Sequence, residues 1–182
     1  MKLVILDRDG VINEDSDDFI KSADEWNAIP GSLEAIVKLN HAGYQVIIIT
    51  NQSGIGRGLF DIQSLNSIHD KMLTQLSALG GQIDAILFCP HLPDDACECR
   101  KPLPGLFNQL KQRLNITLDG IPAVGDSLRD LQAATTAGAT PVLVKTGKGL
   151  NTLAQSEHVN KSIPVFESLL DFVNDYLKHS RD

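Results

Sequence analysis

Short apolar runs recur along the chain and predict buried β-strands. Five of them stand out, at residues 3–6, 45–50, 84–88, 122–125 and 141–144. Each run is largely continuous in its apolar character and does not alternate strictly with polar residues. That pattern is typical of parallel strands that are covered on both faces.

The segments between these runs predict helices, because their apolar residues repeat at intervals of three and four. The repeats comprise Leu33, Ile36 and Val37; Leu65, Ile68, Met72, Leu76 and Leu79; Leu106, Leu110 and Leu114; and Leu131 and Ala134. Gly43 and Gly138 are expected to end the first and the last of these four helices. A further helix is expected over about residues 167–178. Strands that alternate with helices predict an α/β fold with a doubly wound parallel sheet.

Two segments do not fit this alternation of strands and helices. Residues 13–29 are acidic and irregular, and residues 89–105 are rich in Cys, Pro and charged side chains. Both follow the carboxyl ends of predicted strands, which is where open α/β sheets bind their ligands. We therefore expect both segments to contribute to a functional site.

The composition argues against several classes of function. The 182 residues are 42 % hydrophobic and 21 % charged, which suits a single globular domain over residues 1–182. The net charge of −7, without clustered Lys and Arg, argues against a nucleic-acid partner. No apolar run approaches the roughly 18–20 residues of a membrane helix, and the N-terminus does not resemble a signal peptide. We expect a cytoplasmic protein without a membrane partner and, lacking a large apolar stripe, a monomer.

Polar residues follow the ends of four predicted strands. They are, in chain order, Asp7 and Asp9, Thr50, Arg100 and Lys101, and Asp126 and Asp130. Because the carboxyl ends of parallel strands meet at one edge of a sheet, we expect these side chains to lie together. Two carboxylates as close as Asp7 and Asp9 need a cation between them or a proton on one of them.

In their order and spacing, these residues resemble the motifs of the haloacid dehalogenase superfamily of phosphohydrolases. Its pattern is Asp-x-Asp-Gly after the first strand, Ser or Thr after the second, a Lys, and an acidic pair. The matching residues are Asp7-Arg8-Asp9-Gly10, Thr50, Lys101, and Gly125-Asp126 with Asp130. The resemblance covers essentially the whole chain and implies a Mg²⁺-dependent phosphatase with a minimal cap. Asp130 would either ligate the metal through water or orient Lys101, and both alternatives stay open.

The resemblance implies a role for each matched residue. Asp7 would attack phosphorus and form an aspartyl phosphate. Mg²⁺ would bridge Asp7, the backbone carbonyl of Asp9, and Asp126. Thr50 and Lys101 would bind the phosphoryl oxygens. Asp9 would protonate the leaving alkoxide and then take a proton from water.

The three cysteines lie close together in the stretch "CPHLPDDACECRKP". Together with a histidine they give the spacing C-x-H-x₅-C-x-C, and the four candidate ligands are Cys89, His91, Cys97 and Cys99. Three thiolates and one imidazole suit a structural Zn²⁺ with no open position for water. The alternative is three buried thiols and a surface histidine. A zinc loop over residues 89–101 would fix the adjoining Lys101 in place.

With the zinc loop included, the motifs are similar to a narrower group, the heptose bisphosphate phosphatases of lipopolysaccharide precursor synthesis. Histidinol phosphatases share nearly all of these motifs and are the alternative. The likeness implies a small phosphorylated sugar as substrate, with Arg100 recognising its second phosphate or the sugar. It also implies that the pocket is lined by Thr50, Asn51, Gln52 and Ser53. A short loop that would touch the sugar comprises Asp15, Ser16, Asp17 and Asp18. The alternative of equal weight is that these residues form a solvated acidic loop without contact to the substrate.

A function of another class is a non-catalytic, zinc-bearing interaction module on an inactive phosphatase fold. The complete set of motif residues favours the enzyme: Asp7, Asp9, Thr50, Lys101 and Asp126. DNA-end phosphatases share the first motifs, but the acidic chain lacks the basic groove that such a substrate requires.

Overall fold

Six parallel strands form the central sheet of the computed structural model, which describes residues 1–155 and 162–179. They are β1 (Leu3–Leu6), β2 (Gln45–Asn51), β3 (Ala85–Cys89), β4 (Pro122–Gly125), β5 (Thr140–Val144) and β6 (Val165–Phe166). The sheet order is β3-β2-β1-β4-β5-β6. The five strands predicted from apolar runs are confirmed to within one residue at each end. The two-residue strand β6 was not predicted because so short a strand carries no apolar pattern.

Seven helices are described along the same residues. They are α1 (Ser32–His41), α2 (Ser53–Gly56), α3 (Ile62–Ala78), α4 (Gly105–Leu114), α5 (Leu128–Ala137), α6 (Gly149–Gln155) and α7 (Leu169–His179). The predicted helices are present, and the last begins two residues later than expected. The short helices α2 and α6 were not predicted, because neither carries a full apolar repeat. The domain predicted over residues 1–182 includes 156–161 and 180–182, which lie outside the described residues.

The sheet is covered on both of its faces, which confirms the doubly wound prediction. In β1, Val4 and Leu6 pack into the cluster formed with α1, α3 and α7. Leu3 and Ile5 pack into the opposite cluster, formed with α4 and α5. Since successive side chains of a strand point to opposite faces, all four residues of β1 are buried. The strand that precedes Asp7 and Asp9 is therefore held by apolar packing on both of its faces.

The backbone continues this fixation past the end of β1. Leu6 pairs with Ile48 of β2 and with Val124 of β4, and the Asp7 N–H donates to the Val124 carbonyl at 2.9 Å. Asp7 thus leaves the centre of the sheet with its backbone still held by a neighbouring strand.

The irregular segment between β1 and α1 is held against the domain by side chains of two helices. Ser32 donates to the Ile12 carbonyl at 2.6 Å. The Lys71 ammonium of α3 donates to the carbonyls of Ala23 and Trp26, each at 2.7 Å. In this segment, residues 7–31, isolated bridges are the only β-pairing described, so this part of the chain carries no cap domain. None of the described helices has the length and apolar character needed to cross a membrane.

Candidate active site

Three buried carboxylates meet at the carboxyl edge of the sheet. Asp7 follows β1, Asp126 follows β4, and Asp130 lies in the first turn of α5, with oxygens from all three within 4.8 Å of one another. Burial, together with the neighbouring carboxylates, raises the pKa of Asp7 to about 6, although Lys101 opposes the shift. Burial and the other two carboxylates raise the pKa of Asp126 to about 8. A hard divalent cation such as Mg²⁺ fits this set of oxygen donors, because it would compensate the negative charges that oppose one another there.

Asp126 is enclosed by backbone on both sides. A Cβ atom at Gly10 would lie 2.1 Å from Asp126 Oδ2, and one at Gly147 would lie 2.2 Å from the same oxygen. The Lys148 N–H donates to Oδ2 at 2.7 Å, and the Thr152 hydroxyl donates to the Asp126 backbone carbonyl at 2.8 Å. The carboxylate is therefore held in one orientation, and only glycine fits at the two flanking positions.

Lys101 is buried beside Asp7, and its three donors are all engaged. Its ammonium lies 3.0 Å from Asp7 Oδ1 and 2.7 Å from Asp130 Oδ1, and it donates to the Ile49 carbonyl at 2.8 Å. Burial alone would lower the pKa of Lys101, but Asp130 and Asp7 raise it above the ordinary value. The lysine therefore stays charged and is held beside Asp7 Oδ1.

Asp130 contacts Lys101 through one oxygen and Ser127 through the other. Its Oδ2 accepts from both the backbone N–H and the hydroxyl of Ser127 in a capping box at the start of α5. Burial would raise the pKa of Asp130, but Lys101 and Arg129 lower it. Since both oxygens already have partners, this geometry favours the alternative in which Asp130 orients Lys101.

Asp9 lies only two residues from Asp7 and has the opposite electrostatic environment. Its carboxylate accepts from the Arg8 guanidinium at 2.9 and 3.0 Å, from Asn13 Nδ2 at 2.8 Å and from Gln52 Nε2 at 2.8 Å. Burial would raise the pKa of Asp9, but Arg8, Asn13 and Gln52 lower it below the ordinary value. One carboxyl group is thus easily protonated while its neighbour stays ionised, a division typical of sites that separate two chemical roles.

The end of β2 joins these groups to the loop that carries Lys101. Asn51 Nδ2 donates to the Lys101 carbonyl at 3.0 Å, and the Lys101 N–H donates to Asn51 Oδ1 at 3.1 Å. The buried Thr50 hydroxyl accepts from Gln52 Nε2 at 3.0 Å. Ser53 begins α2 directly afterwards, so this short helix turns the chain at the edge of the site.

The four candidate zinc ligands come together in the loop after β3. The Cys89 thiol lies 3.1 Å from the Cys99 thiol, 3.9 Å from the Cys97 thiol and 3.5 Å from His91 Nδ1. In a tetrahedral site with Zn–S bonds of about 2.3 Å, two sulfur ligands are roughly 3.8 Å apart. Burial raises the pKa of Cys89 to about 12, and the Cys99 thiol adds to the shift. Near neutral pH this thiol would therefore be deprotonated only when a cation binds to it. The donor set therefore fits Zn²⁺; the 3.9 Å between the Cys89 and Cys97 thiols matches the tetrahedral separation, whereas the 3.1 Å between the Cys89 and Cys99 thiols is shorter.

A cavity of about 210 Å³ opens above the carboxylates. The predicted residues that line it are Asp7, Asp9, Asp15, Ser16, Asp17, Thr50, Asn51, Gln52, Ser53 and Arg100. Asp18 is exposed and is not among the lining residues, so its predicted contact with the sugar is not supported by this geometry. Lys101 and Asp126 lie beneath the floor of the cavity, where they contact Asp7 and Lys148.

Three cations at the cavity rim were missed by the sequence analysis. Arg57, Arg129 and Lys148 line the cavity together with Arg100. The Lys148 ammonium lies 3.3 Å from Asp15 and 3.3 Å from Asp17, so it attaches the acidic loop to the rim. Arg129 directly precedes Asp130 in "GDSLRD", and this adjacency was the available signal. These four cations formally balance the four carboxylates that line the same cavity in a protein of net charge −7, and the three arginines are the donors that an anionic ligand could use there.

A larger groove of about 570 Å³ lies elsewhere on the surface. Lys2, Lys38 and Tyr44 line it, but none of the clustered carboxylates or thiols does. We place the active site in the smaller cavity, because of the two only that cavity is lined by carboxylates that could take part in a reaction, such as Asp7 and Asp9.

Two family models match the chain. Residues 2–134 match the model described as polynucleotide kinase 3 phosphatase, and residues 98–172 match the model described as HAD-hydrolase-like.

Several named relatives are similar over most of their length. A protein of Bordetella bronchiseptica named D-glycero-beta-D-manno-heptose-1,7-bisphosphate 7-phosphatase is 61 % identical over 155 residues, which is 85 % of this chain and 87 % of the relative. A protein of Neisseria meningitidis serogroup A with the same name is 51 % identical over 173 residues, covering 94 % and 92 %. The crystal structure of a D,D-heptose 1,7-bisphosphate phosphatase from B. bronchiseptica, complexed with magnesium and phosphate, has a TM-score of 0.96 and 55 % identity, covering 98 % of this chain and 99 % of that one.

Proposed function

The chain belongs to the haloacid dehalogenase-like family of phosphoric monoester hydrolases that includes the heptose bisphosphate phosphatases, and we propose that it removes the 7-phosphate of D-glycero-β-D-manno-heptose 1,7-bisphosphate. The observation that carries this proposal is the buried pair of Asp7 and Lys101, 3.0 Å apart beneath a cavity rimmed by cations. In this proposal Asp7, at the floor of the cavity, attacks the 7-phosphate, and the cations at the rim bind the 1-phosphate.

In this proposal Asp7 attacks phosphorus and forms an aspartyl phosphate, while Lys101 stabilises charge on the phosphoryl oxygens. Asp7, the Asp9 carbonyl and Asp126 would hold Mg²⁺, which would supply the further positive charge that phosphoryl transfer requires. The Thr50 hydroxyl, at the end of β2, donates to another phosphoryl oxygen. Asp130 keeps Lys101 in place, as their 2.7 Å contact supports.

Asp9 transfers the protons in both half-reactions. It gives a proton to the leaving sugar oxygen, and it then accepts one from the water that attacks the aspartyl phosphate. Its low pKa suits the second role directly, because the carboxylate is already the basic form. The first role requires that substrate binding brings a proton to Asp9 or raises its pKa.

The rim cations bind the second phosphate of the substrate. Arg100, Arg57 and Arg129 line the cavity, and an arginine can bind a phosphate through two parallel hydrogen bonds. Asn51, Gln52 and Ser53 contact the sugar from the β2 side, and Asp15, Ser16 and Asp17 contact it from the opposite side. The substrate would thus be held at both ends, with its 7-phosphate on Asp7.

Zinc bound by the cysteine loop has a structural role. Cys89, His91, Cys97 and Cys99 form a closed set of four ligands, which leaves no position for a reacting water. The loop ends next to Arg100 and Lys101, and the Arg100 guanidinium also donates to the His91 carbonyl at 3.3 Å. We propose further that the protein is a cytoplasmic monomer of one domain that acts in lipopolysaccharide precursor synthesis, without nucleic-acid or membrane partners.

The test is to compare kcat/KM for the β-heptose 1,7-bisphosphate with kcat/KM for histidinol phosphate in the presence of Mg²⁺. We expect a preference for the bisphosphate of at least about a hundredfold, because the rim cations would be left unpaired by the smaller substrate. Phosphorus NMR of the product should show heptose 1-phosphate. A preference for histidinol phosphate, or release of the 1-phosphate, would contradict the proposal.

A variant and a truncated substrate isolate the second phosphate. Arg129→Gln should lower kcat/KM for the bisphosphate by more than about tenfold. The same change should have little effect on heptose 7-phosphate, which lacks the 1-phosphate. Equal losses on the two substrates would show that Arg129 does not bind that phosphate.

A further inference from the structure

Arg8 lies between the two carboxylates of the first motif, yet its side chain points into the protein. The side chain has 0 % of its surface exposed, and it is not among the residues that line the cavity. An arginine stays charged in proteins and offers five N–H donors, so a buried one must have acceptors on several sides. Because it cannot reach a substrate, Arg8 can influence the reaction only through its neighbours.

Two of these neighbours belong to the active site. Arg8 Nη2 donates to both oxygens of Asp9, at 2.9 and 3.0 Å, and Nε donates to Oδ1 at 3.1 Å. Nη2 also donates to Gln52 Oε1 at 3.1 Å, while Gln52 Nε2 donates to Asp9 Oδ2 at 2.8 Å. The guanidinium and the carboxamide therefore hold the Asp9 carboxylate from one side as a unit.

The third neighbour comes from a helix outside the site. His69 lies in α3, only 8 % exposed, and its Nε2 is 3.3 Å from Arg8 Nη1. Burial and the Arg8 charge lower the pKa of His69 to about 4, so the imidazole is neutral near neutral pH. A neutral imidazole with its proton on Nδ1 accepts a hydrogen bond at Nε2, which is what Arg8 Nη1 can donate.

We propose that His69 is a positioning residue for the reaction: it fixes the Arg8 guanidinium, which in turn fixes the Asp9 carboxylate. This inference rests on the proposed function, in which Asp9 transfers protons. Without His69, Arg8 has a buried N–H that lacks its acceptor, and leaving such a group unpaired is unfavourable enough to shift the side chain. Proton transfer requires hydrogen-bond reach, so a displaced Asp9 slows the steps in which it gives or takes a proton.

The test compares His69→Leu with His69→Gln in single-turnover phosphorylation of Asp7. The substrates are the sugar bisphosphate, whose alkoxide needs a proton to leave, and an aryl phosphate, whose phenolate does not. We expect His69→Leu to lower the rate about tenfold with the sugar bisphosphate and less than about twofold with the aryl phosphate. His69→Gln should stay within about threefold of wild type on both, because the carboxamide oxygen can accept from Nη1.

A matched control separates positioning from loss of stability. Met72→Ala removes a buried side chain one turn further along the same face of α3. It should lower the unfolding temperature at least as much as His69→Leu, because it leaves a cavity. Its rates with the two substrates should remain in the wild-type ratio.

Nitrogen-15 NMR of the imidazole gives a measurement that does not depend on activity. The wild type should show His69 protonated on Nδ1 and unprotonated on Nε2. An Nε2-protonated tautomer, equal losses of His69→Leu on the two substrates, or failure of His69→Gln to restore the rate would each overturn the inference. A wild type that hydrolyses the aryl phosphate but not the sugar bisphosphate would overturn the proposed function alone. A simple alkyl phosphate would then serve as the second substrate.

Discussion

The two clusters of candidate metal ligands lie at the same edge of the sheet but are built in opposite ways. The carboxylate cluster is buried and begins at the ends of two central strands, so the sheet itself holds Asp7 and Asp126 in place. The thiol–imidazole cluster is mostly loop: Cys89 alone belongs to a strand, and His91 is exposed. The geometry of the first cluster therefore comes from the fold, whereas we propose that the loop is ordered by a metal ion bound at the second cluster.

This difference separates what each cluster contributes. Removing a carboxylate should remove chemistry and leave the fold intact, since the strands are stabilised by apolar packing on both faces. Removing a thiol should leave every catalytic side chain present but loosen those that the loop carries, above all Lys101, and so lower the rate indirectly.

The largest effect is expected from Asp7→Asn. An amide cannot form the acyl phosphate, so kcat should fall on the order of 10³-fold or more. The fold should persist, because the change removes one of three carboxylates that repel one another. Steady-state kinetics and circular dichroism measure the two outcomes. If the variant keeps more than about a tenth of wild-type kcat, corresponding to about 1.4 kcal/mol or less of transition-state stabilisation lost, Asp7 is not the nucleophile.

Asp9→Asn changes the carboxylate that lies next to this cluster but does not belong to it. It should lower the rate of enzyme phosphorylation by roughly 10²- to 10⁴-fold with a sugar phosphate and by much less with an aryl phosphate, whose leaving group needs little acid. Single-turnover rates with both substrates provide the measurement. Equal losses would remove Asp9 from the acid role.

The Cys97→Ser/Cys99→Ser double variant perturbs the other cluster. We expect zinc to be lost and kcat/KM to fall about ten- to a hundredfold, because Arg100 and Lys101 lose their support. The sheet should still unfold cooperatively. Elemental analysis checks the metal, and a mild chelator provides the control: it should strip Mg²⁺, leave thiolate-bound zinc, and allow full recovery when Mg²⁺ alone is restored. A wild type without zinc, or an unchanged kcat/KM in the variant, would contradict the role given to the loop.

The smallest effect concerns the pH dependence of Mg²⁺ binding. The pKa values of Asp7 and Asp126 are raised from the ordinary 3.8 to about 6 and about 8, so the metal-free fold loses stability as the pH rises from the ordinary value to about 6 for Asp7 and to about 8 for Asp126. Protonated carboxyls are poor ligands, so Mg²⁺ should raise the unfolding temperature more at pH 8 than at pH 6. At a hundredfold excess over Kd the stabilisation is about 2.7 kcal/mol.

Thermal unfolding with and without Mg²⁺ checks this expectation. Asp126→Asn provides the control, since it should abolish most of the shift at either pH. The thiol–imidazole cluster should not contribute to the shift in unfolding temperature caused by Mg²⁺, because its thiolate ligands do not suit that ion. A shift of the same size at pH 6 and pH 8 would show that the two carboxyls are already ionised in the metal-free protein.

The sequence was informative wherever one residue type can serve only a few purposes. Continuous apolar runs located β1 to β5, and closely spaced Asp and Cys residues marked both clusters, because carboxylates and thiols are seldom brought together without a cation. Arg8 shows the limit. From the sequence, a charged residue between two aspartates is expected to be exposed to solvent. The structure shows instead that Arg8 is fully buried beside His69 of α3.

Other residues in or near the candidate site were missed for a related reason. Arg57 and Lys148 come from chain segments 91 residues apart and meet only at the cavity rim, so no local pattern connects them. His69 did leave a signal, since it falls on the apolar face that Leu65, Ile68 and Met72 define in α3. A histidine on such a face needs a buried partner, and pattern alone does not say which.

The close packing of Gly10 and Gly147 against Asp126 affects which divalent cation the site should prefer, magnesium or calcium. A Cβ at Gly10 or Gly147 would lie only 2.1 or 2.2 Å from Asp126 Oδ2, so the backbone of both glycines packs closely against this carboxylate oxygen and leaves it little room to move outward. Calcium prefers six to eight oxygen ligands at about 2.3–2.6 Å in a flexible shell, whereas magnesium accepts a compact octahedron at about 2.0–2.1 Å. A pocket that cannot widen should therefore bind magnesium in preference to calcium, and calcium should support little turnover.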